Sequence, residues 1–328
     1  MAIKSMKVLN IMAFHQKELD LQFGDGINIL IGENGMGKTT LLKMIYAALQ
    51  YSIENQTSGK ELIHFFSNNL RDFSQMKYPG KEKDTCYYEI SDGQHFFKDY
   101  LTKKNGIVSE GWKGLNIQSV FIPTTEMLSH SKGFLAMNQK YNMPFDETQI
   151  DIIVNASLPE TKKVSQSCEI ILKEISDVIN GKVVQEDDTF YIVKNDGRKI
   201  DFSLEAEGMR KLGLLWKLIR NGLLEKNSVL LWDEPEANLN PELYPLVANI
   251  LLALQKNGVQ IFLATHSYNF AKYLEIRRTE KEQVLIHNLY SNDLGKEIMS
   301  VSAYKMEDLE PNHIMMADNQ LLDEVYNM

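Results

Sequence analysis

Gly32-Glu33-Asn34-Gly35-Met36-Gly37-Lys38-Thr39 fits the pattern G-x-x-x-x-G-K-[ST], in which a glycine-rich loop turns backbone N–H groups onto a polyphosphate. In that chemistry Lys38 sets its ammonium on the β- and γ-phosphates and the Thr39 hydroxyl is a ligand for Mg²⁺. Asn34, Gly35, Gly37 and Thr40 complete the candidate phosphate-binding set. A second pair of groups stands in the other half of the chain, where Asp233 and Glu234 end the apolar run Val229-Leu230-Leu231-Trp232. Adjacent carboxylates at the carboxyl end of a core strand can divide the work of hydrolysis, the first holding Mg²⁺ and the second polarising the attacking water. The alternative is an acidic capping pair ahead of Pro235; the phosphate loop elsewhere in the chain favours the chemical reading.

These groups need elements to hold them. Ile27-Asn28-Ile29-Leu30-Ile31 reads as a buried strand before the loop, and Leu41, Leu42, Ile45, Ala48 and Leu49 recur at helical spacing after it, which is the context the motif requires. The glycine order does not fit G-x-G-x-x-G, so a Rossmann dinucleotide site is disfavoured here. Val259 to Ala264 reads as another buried strand and leads to Thr265-His266-Ser267. A histidine at the end of a core strand can hydrogen-bond a γ-phosphate and report its loss.

Trp232-Asp233-Glu234-Pro235-Glu236-Ala237-Asn238-Leu239-Asn240-Pro241, followed by Ala264-Thr265-His266-Ser267, resembles the Walker B, D-loop and switch-histidine series of ABC-type ATPases. Within that class the chain is similar to the RecF/SMC/OLD-like branch, often called AAA family ATPases, and the resemblance covers nearly the whole chain. It implies an α/β fold, an ABC-ATPase-like head: a P-loop NTPase core with an N-terminal antiparallel β-subdomain and an inserted mainly helical lobe. On that plan residues 1–130 form an N-terminal lobe with the phosphate loop, 131–204 the inserted helical and hairpin segment, 205–305 a C-terminal lobe and 306–328 a tail, all in one ATPase domain. The tail is too short for the nuclease domain that OLD nucleases carry.

The resemblance further implies ATP and Mg²⁺ as cofactors, Glu234 and His266 as catalytic residues, Thr39 and Asp233 at the metal, and Asn238 in the D-loop. Glu205-Ala206-Glu207-Gly208-Met209-Arg210 resembles the signature loop, which grips the γ-phosphate of ATP held by the other subunit. Gly208 matches that motif, whereas Ala206 stands where it usually has serine, so one hydroxyl contact is missing. Related heads also carry a glutamine that leaves a strand and senses Mg²⁺ and the attacking water. The strand Gln118 to Ile122 ends instead at Pro123-Thr124-Thr125-Glu126-Met127. Glu126 is expected to take the glutamine's place, with Thr124 and Thr125 behind it, and a helix-capping Thr-Thr-Glu is the equal alternative. Compact heads of this branch accompany a separate effector in bacterial anti-phage defence, so the implied partners are a second copy, closing in an ATP-dependent dimer, and an effector protein. The alternative is a RecF-like DNA-repair ATPase.

Charge bears on that choice. With 44 acidic against 35 basic residues among 328, the net charge of −9 has the wrong sign for a surface built throughout to neutralise phosphates. Lys162-Lys163 and Arg277-Arg278 are too short to mark a groove and read as solvated surface. Cys86 and Cys168 lie in no metal-ligand spacing, which suits a reducing compartment. No segment approaches the ~20 apolar residues of a membrane span, so the expectation is a cytoplasmic protein without a membrane partner.

The remaining pattern is read as follows. Met6 to Ile11, Leu19 to Phe23 and the strand before the phosphate loop make a small antiparallel start. Phe14 is expected to pack and His15 to lie on the surface, with contact to adenine as their alternative. Asp92-Gly93 marks a hairpin. Ser165 to Ile179 is a helix with Cys168, Ile171, Leu172, Ile175 and Ile179 on one face. Lys182 to Glu186 and Phe190 to Val193 form a second hairpin whose turn makes Glu186-Asp187-Asp188 a solvated loop and not a metal site. Helices follow from Leu212 to Ile219 and from Pro241 to Leu254, then a strand from Gln283 to Leu289. The tail ends in a short helix whose Met315, Met316, Leu321 and Leu322 are expected to pack on the body, with receiving a partner as the alternative.

Overall fold

The computed structural model describes residues 2–15, 17–54, 62–67, 69–70, 73–80, 85–101, 106–141, 143–292 and 297–327. Its strands are β1 (Ser5–Leu9), β2 (Leu19–Gln22), β3 (Ile27–Gly32), β4 (Tyr87–Ser91), β5 (Phe96–Tyr100), β6 (Gly106–Glu110), β7 (Ser119–Ile122), β8 (Gly181–Glu186), β9 (Thr189–Lys194), β10 (Lys199–Asp201), β11 (Val229–Asp233), β12 (Gln260–Ala264), β13 (Val284–Ser291) and β14 (Ile298–Ala303). Its helices are α1 (Lys38–Tyr51), α2 (Phe134–Tyr141), α3 (Glu147–Ser157), α4 (Gln166–Ile179), α5 (Glu207–Arg220), α6 (Tyr244–Lys256), α7 (Tyr268–Arg277) and α8 (His313–Tyr326).

Strands without polar alternation build the central sheet, in the order β14-β13-β3-β12-β11-β7. β3, β7, β11 and β12 are buried at every position, as strands covered on both faces must be. Pairing is parallel from β13 to β7, with β14 antiparallel at the edge. Register places Asp233 beside Ala264 and Ala264 beside Leu30, so the segments after β3, β12, β11 and β7 leave from one edge, where open α/β sheets bind ligands.

Two apolar clusters cover the two faces. Leu30, Leu231 and Phe262 meet α1 and the antiparallel sheet β2-β1-β4-β5-β6 on one side. Ile29, Leu230, Trp232 and Leu263 meet α3 to α7 on the other. The inserted segment supplies α2, α3 and α4 and a three-stranded sheet, β10-β9-β8. Its α3 starts on a capping box in which Asp146 and Gln149 satisfy each other's backbone N–H. Asp146 also pairs with Lys43 of α1 at 2.6 Å, which ties the insert to the helix that follows the phosphate loop.

Several expectations need correction. β3 does not join β1 and β2 in the antiparallel start but lies in the parallel sheet between β13 and β12. The difference in pattern explains it: β2 alternates buried and exposed, whereas β3 is buried throughout. β1 ends at Leu9, since Asn10 and Met12 take left-handed backbone and turn the chain. The sequence reading omits β6, β10, β14 and α7. The tail helix runs longer than expected and does not pack as expected. Met316 and Leu321 are each 59% exposed and Leu322 48%, while Ile314 in its first turn meets the main core. The residues after the phosphate-loop helix read from sequence as a polar stretch through Ser74, and part of that stretch lies outside the described residues. Among the described residues no helix is long and apolar enough to cross a membrane.

Candidate nucleotide and metal site

Gly32 and Gly37 are the glycines the loop cannot replace. At Gly32, φ is 142° and a Cβ would lie 2.2 Å from the Leu289 carbonyl oxygen; at Gly37, φ is 81° and a Cβ would lie 2.4 Å from Phe14 Cζ. Gly37 is the N-cap of α1 and offers no side chain to its first N–H groups, which leaves backbone donors for an anion. Asn34 and Gly35 are exposed at the loop tip, and Thr40 is half-buried beside Met12.

Lys38 is 5% exposed. Its Nζ donates to the carbonyls of Gly32 at 2.7 Å and Glu33 at 2.9 Å and lies 3.3 Å from His266 Nδ1. Burial lowers its pKa to about 8, against the pull of Glu234, Asp233, Glu236 and Glu33. Among the described residues this ammonium has no ion-pair partner, so a polyphosphate would supply the anion it lacks.

Three elements meet at Asp233. Thr39 Oγ1, in the first turn of α1, lies 3.0 Å from each carboxylate oxygen, and Thr124 Oγ1, just beyond β7, lies 3.1 Å from Oδ2. Burial raises the Asp233 pKa while these two hydroxyls hold it down. A hydroxyl and a carboxylate in contact form a hard-oxygen donor set suited to Mg²⁺.

Glu126 is elsewhere. Its carboxylate accepts from the backbone N–H groups of Leu128 and Ser129 and sits 3.3 Å from Arg210 Nη1. The capping alternative is therefore the geometry observed, and Thr124 occupies the position expected of Glu126. The reason is sheet order: β7 lies directly beside β11, so the first hydroxyl after β7 reaches Asp233, and two residues further on the chain has turned into its helical cap.

Glu234 has a φ of 49°, left-handed backbone for a non-glycine residue, of the kind that functional sites sustain. Its N–H donates to the Ala264 carbonyl, and its Oε1 lies 3.3 Å from His266 Nε2. Burial, and after it the Lys38 charge, lower the His266 pKa against the pull of Glu234 and Glu236, which favours the neutral ring. With Lys38 donating to Nδ1, the ring proton belongs on Nε2, where it donates to Glu234. Glu236 fixes the histidine loop, since its Oε1 accepts from Thr265 Oγ1 at 2.6 Å and from the His266 N–H at 3.1 Å. Its Oε2 is buried without a hydrogen-bond partner among the described residues, a spare acceptor beside the histidine loop. Sequence reasoning gave Glu236 no role, although an acid two positions after Glu234 was the available signal.

The signature-like residues lie at the start of α5. Ala206 is its N-cap and makes no side-chain cap, in keeping with the missing hydroxyl. Gly208 faces the turn after Glu234, where a Cβ would meet Leu239 Cδ1 at 3.2 Å. Asn238 donates to Glu207 Oε1 at 2.9 Å. This loop therefore packs on its own protomer's D-loop-like turn. Phe14 is packed under Gly37, as expected. His15 departs from expectation: it is buried and stacks on Tyr78 with ring centroids 3.7 Å apart.

Comparison with known proteins bears on the sequence family and the fold. Residues 132–271 match the family described as "AAA domain, putative AbiEii toxin, Type IV TA system". The chain is 28% identical over 228 residues to a DNA replication and repair protein RecF of Streptococcus uberis, covering 68% of this chain and 59% of that protein. It is 30% identical over 122 residues to the RecF of Clostridium kluyveri, covering 37% of this chain and 28% of that protein. Both matches thus span less than two thirds of the relative's length. Among solved structures, an SMC head bound to the C-winged helix domain of ScpA superposes with a TM-score of 0.57 at 13% identity, covering 92% of this chain and 98% of that one. At that identity the likeness speaks for the fold.

Proposed function

We propose that this chain is a P-loop ATPase head of the ABC type, similar in fold to SMC heads and in sequence to RecF proteins, and that it binds ATP with Mg²⁺ and hydrolyses it. One observation carries the reading: an unpaired buried ammonium at Lys38, the Thr39–Asp233 oxygen pair and the Glu234–His266 pair converge on one sheet edge. Bound Mg²⁺ neutralises charge on the β- and γ-phosphates. Thr39 and Asp233 would hold it, with Thr124 keeping the carboxylate oriented. Lys38 places its charge on the γ-phosphate, and backbone N–H groups from Gly35 to Thr40 cradle the β-phosphate. Glu234 accepts a proton from the attacking water, and the His266 Nε2–H holds the carboxylate for that task.

The start of α5 fits a role across a dimer interface, where Gly208 and the uncapped N–H groups beside Ala206 would meet ATP bound by a second copy. Closure would then control a separate protein partner, an effector of the kind implied by compact heads in anti-phage defence; the SMC head bound to a ScpA winged helix is a precedent for such an arrangement. A second reading, ATP-dependent action on DNA, is favoured by the RecF match over 68% of the chain and opposed by the net charge of −9. The test is the solution mass of Glu234→Gln with and without ATP and Mg²⁺, repeated with duplex DNA over a salt series. Doubling with ATP alone supports the dimer, salt-sensitive DNA binding supports the second reading, and a monomer under all conditions refutes the dimer.

A further inference from the structure

Lys211 takes no part in the site as described, yet it is built against the turn that carries Glu234. It lies on α5, one turn after Gly208, and is 3% exposed. Its Nζ donates to the Ala237 carbonyl at 2.5 Å and the Glu234 carbonyl at 3.3 Å. Among the described residues it has no ion-pair partner. Burial lowers its pKa, while Glu207, Glu236, Glu234 and Asp233 pull the other way. Burying an ammonium with only carbonyls for partners costs stability that an apolar side chain of similar length would not, so packing alone does not account for a lysine here.

The two carbonyls bracket the turn that matters. Glu234 holds left-handed backbone; its carbonyl also accepts from the Ala237 N–H at 3.1 Å, and Leu239 N–H closes on Glu236 at 3.0 Å. Nothing in a non-glycine residue favours that conformation by itself, so the surroundings must hold it. We propose that Lys211 is a positioning residue: its donation to the Glu234 and Ala237 carbonyls holds the turn 234–237 in the shape that aims Glu234, and joins that turn to the start of α5. Displacement of α5 by whatever docks at Gly208 is thereby felt at Glu234. The aim at Glu234 as a catalytic base rests on the ATPase reading; the support of the turn does not.

The test compares Lys211→Met, which keeps chain length without a donor, with Lys211→Gln, which keeps a neutral donor. Amide hydrogen exchange in the nucleotide-free protein should rise about tenfold over residues 234–239 in Lys211→Met, with β11 and β12 unchanged and Lys211→Gln in between. ATP affinity should stay within about threefold while kcat falls about 30-fold, and in a Glu234→Gln background the same substitution should change the residual rate less than about twofold. Unchanged exchange over 234–239 overturns the proposal whether or not ATP is hydrolysed. An equal kcat loss in the Glu234→Gln background overturns it as well, since Lys211 would then act on something other than that carboxylate. A wild-type chain that binds no ATP refutes the ATPase reading alone, and the exchange result still decides whether Lys211 holds the turn.

Discussion

Two settings in which ionisable groups are withdrawn from solvent, the carboxyl edge of the parallel sheet and the antiparallel sheet, show what separates a site from a packing compromise. At the carboxyl edge of the parallel sheet, Lys38, Asp233 and His266 lie within 3.3 Å of polar partners that come from different elements of the fold. In the antiparallel sheet, Asp99 is 2% exposed and faces the equally buried Tyr88 across the β4–β5 pair. Among the described residues, the Asp99 Oδ2 and the Tyr88 hydroxyl both lack a hydrogen-bond partner. Burial alone pushes the Asp99 carboxyl up to about 7, a large perturbation with no convergent chemistry around it. A shifted pKa marks a functional site when charge partners and an open edge come with it.

Five substitutions test that contrast, taken from the largest effect down. Lys38→Ala removes the charge-assisted bonds to phosphate and should weaken ATP binding about 1,000-fold, measured by equilibrium titration with a fluorescent ATP analogue. Glu234→Gln should lower kcat about 100-fold with ATP affinity retained, measured by single-turnover hydrolysis beside binding; a retained rate would remove Glu234 as the base. Thr124→Ala should raise the Mg²⁺ concentration for half-maximal activity about tenfold, whereas Glu126→Gln should leave it within about twofold because its carboxylate caps Leu128 and Ser129. The reverse order of these two effects would restore Glu126 to the metal site.

Asp99→Asn is the smallest and the only one expected to stabilise. A folded-state pKa near 7 against about 3.9 unfolded means that the stability tied to the protonated form is complete below the unfolded value and is lost as pH rises through about 7. Wild-type Tm should therefore fall relative to Asp99→Asn between pH 5 and pH 8, with the variant about 3 °C more stable at pH 8. A pH-independent difference would mean that Asp99 gains a partner in solution.

Contiguous motifs were legible from the chain. The strand, loop and helix from Ile27 to Leu49 could be read because each residue's role follows from its immediate neighbours. Asp233, Glu234 and His266 were legible for the same reason, each closing an apolar run. The antiparallel placing of β3 and the packing of α8 were misread because alternation and apolar content say that a segment has a face, not what will cover it. Met316 and Leu321 are apolar at helical spacing and still stand exposed.

The amino-acid sequence by itself determined the glycine-rich loop between strand and helix, the acidic pair and the α/β class, since these depend on backbone conformation and periodicity within a few residues. Tertiary structure alone decided that Thr124 and not Glu126 reaches Asp233, that Glu236 fixes the histidine loop and that Lys211 supports the turn after Glu234. Those contacts follow from which strands lie side by side and how α5 crosses behind them. Their distances are set by pairing and packing between segments far apart in the chain, which no local pattern encodes.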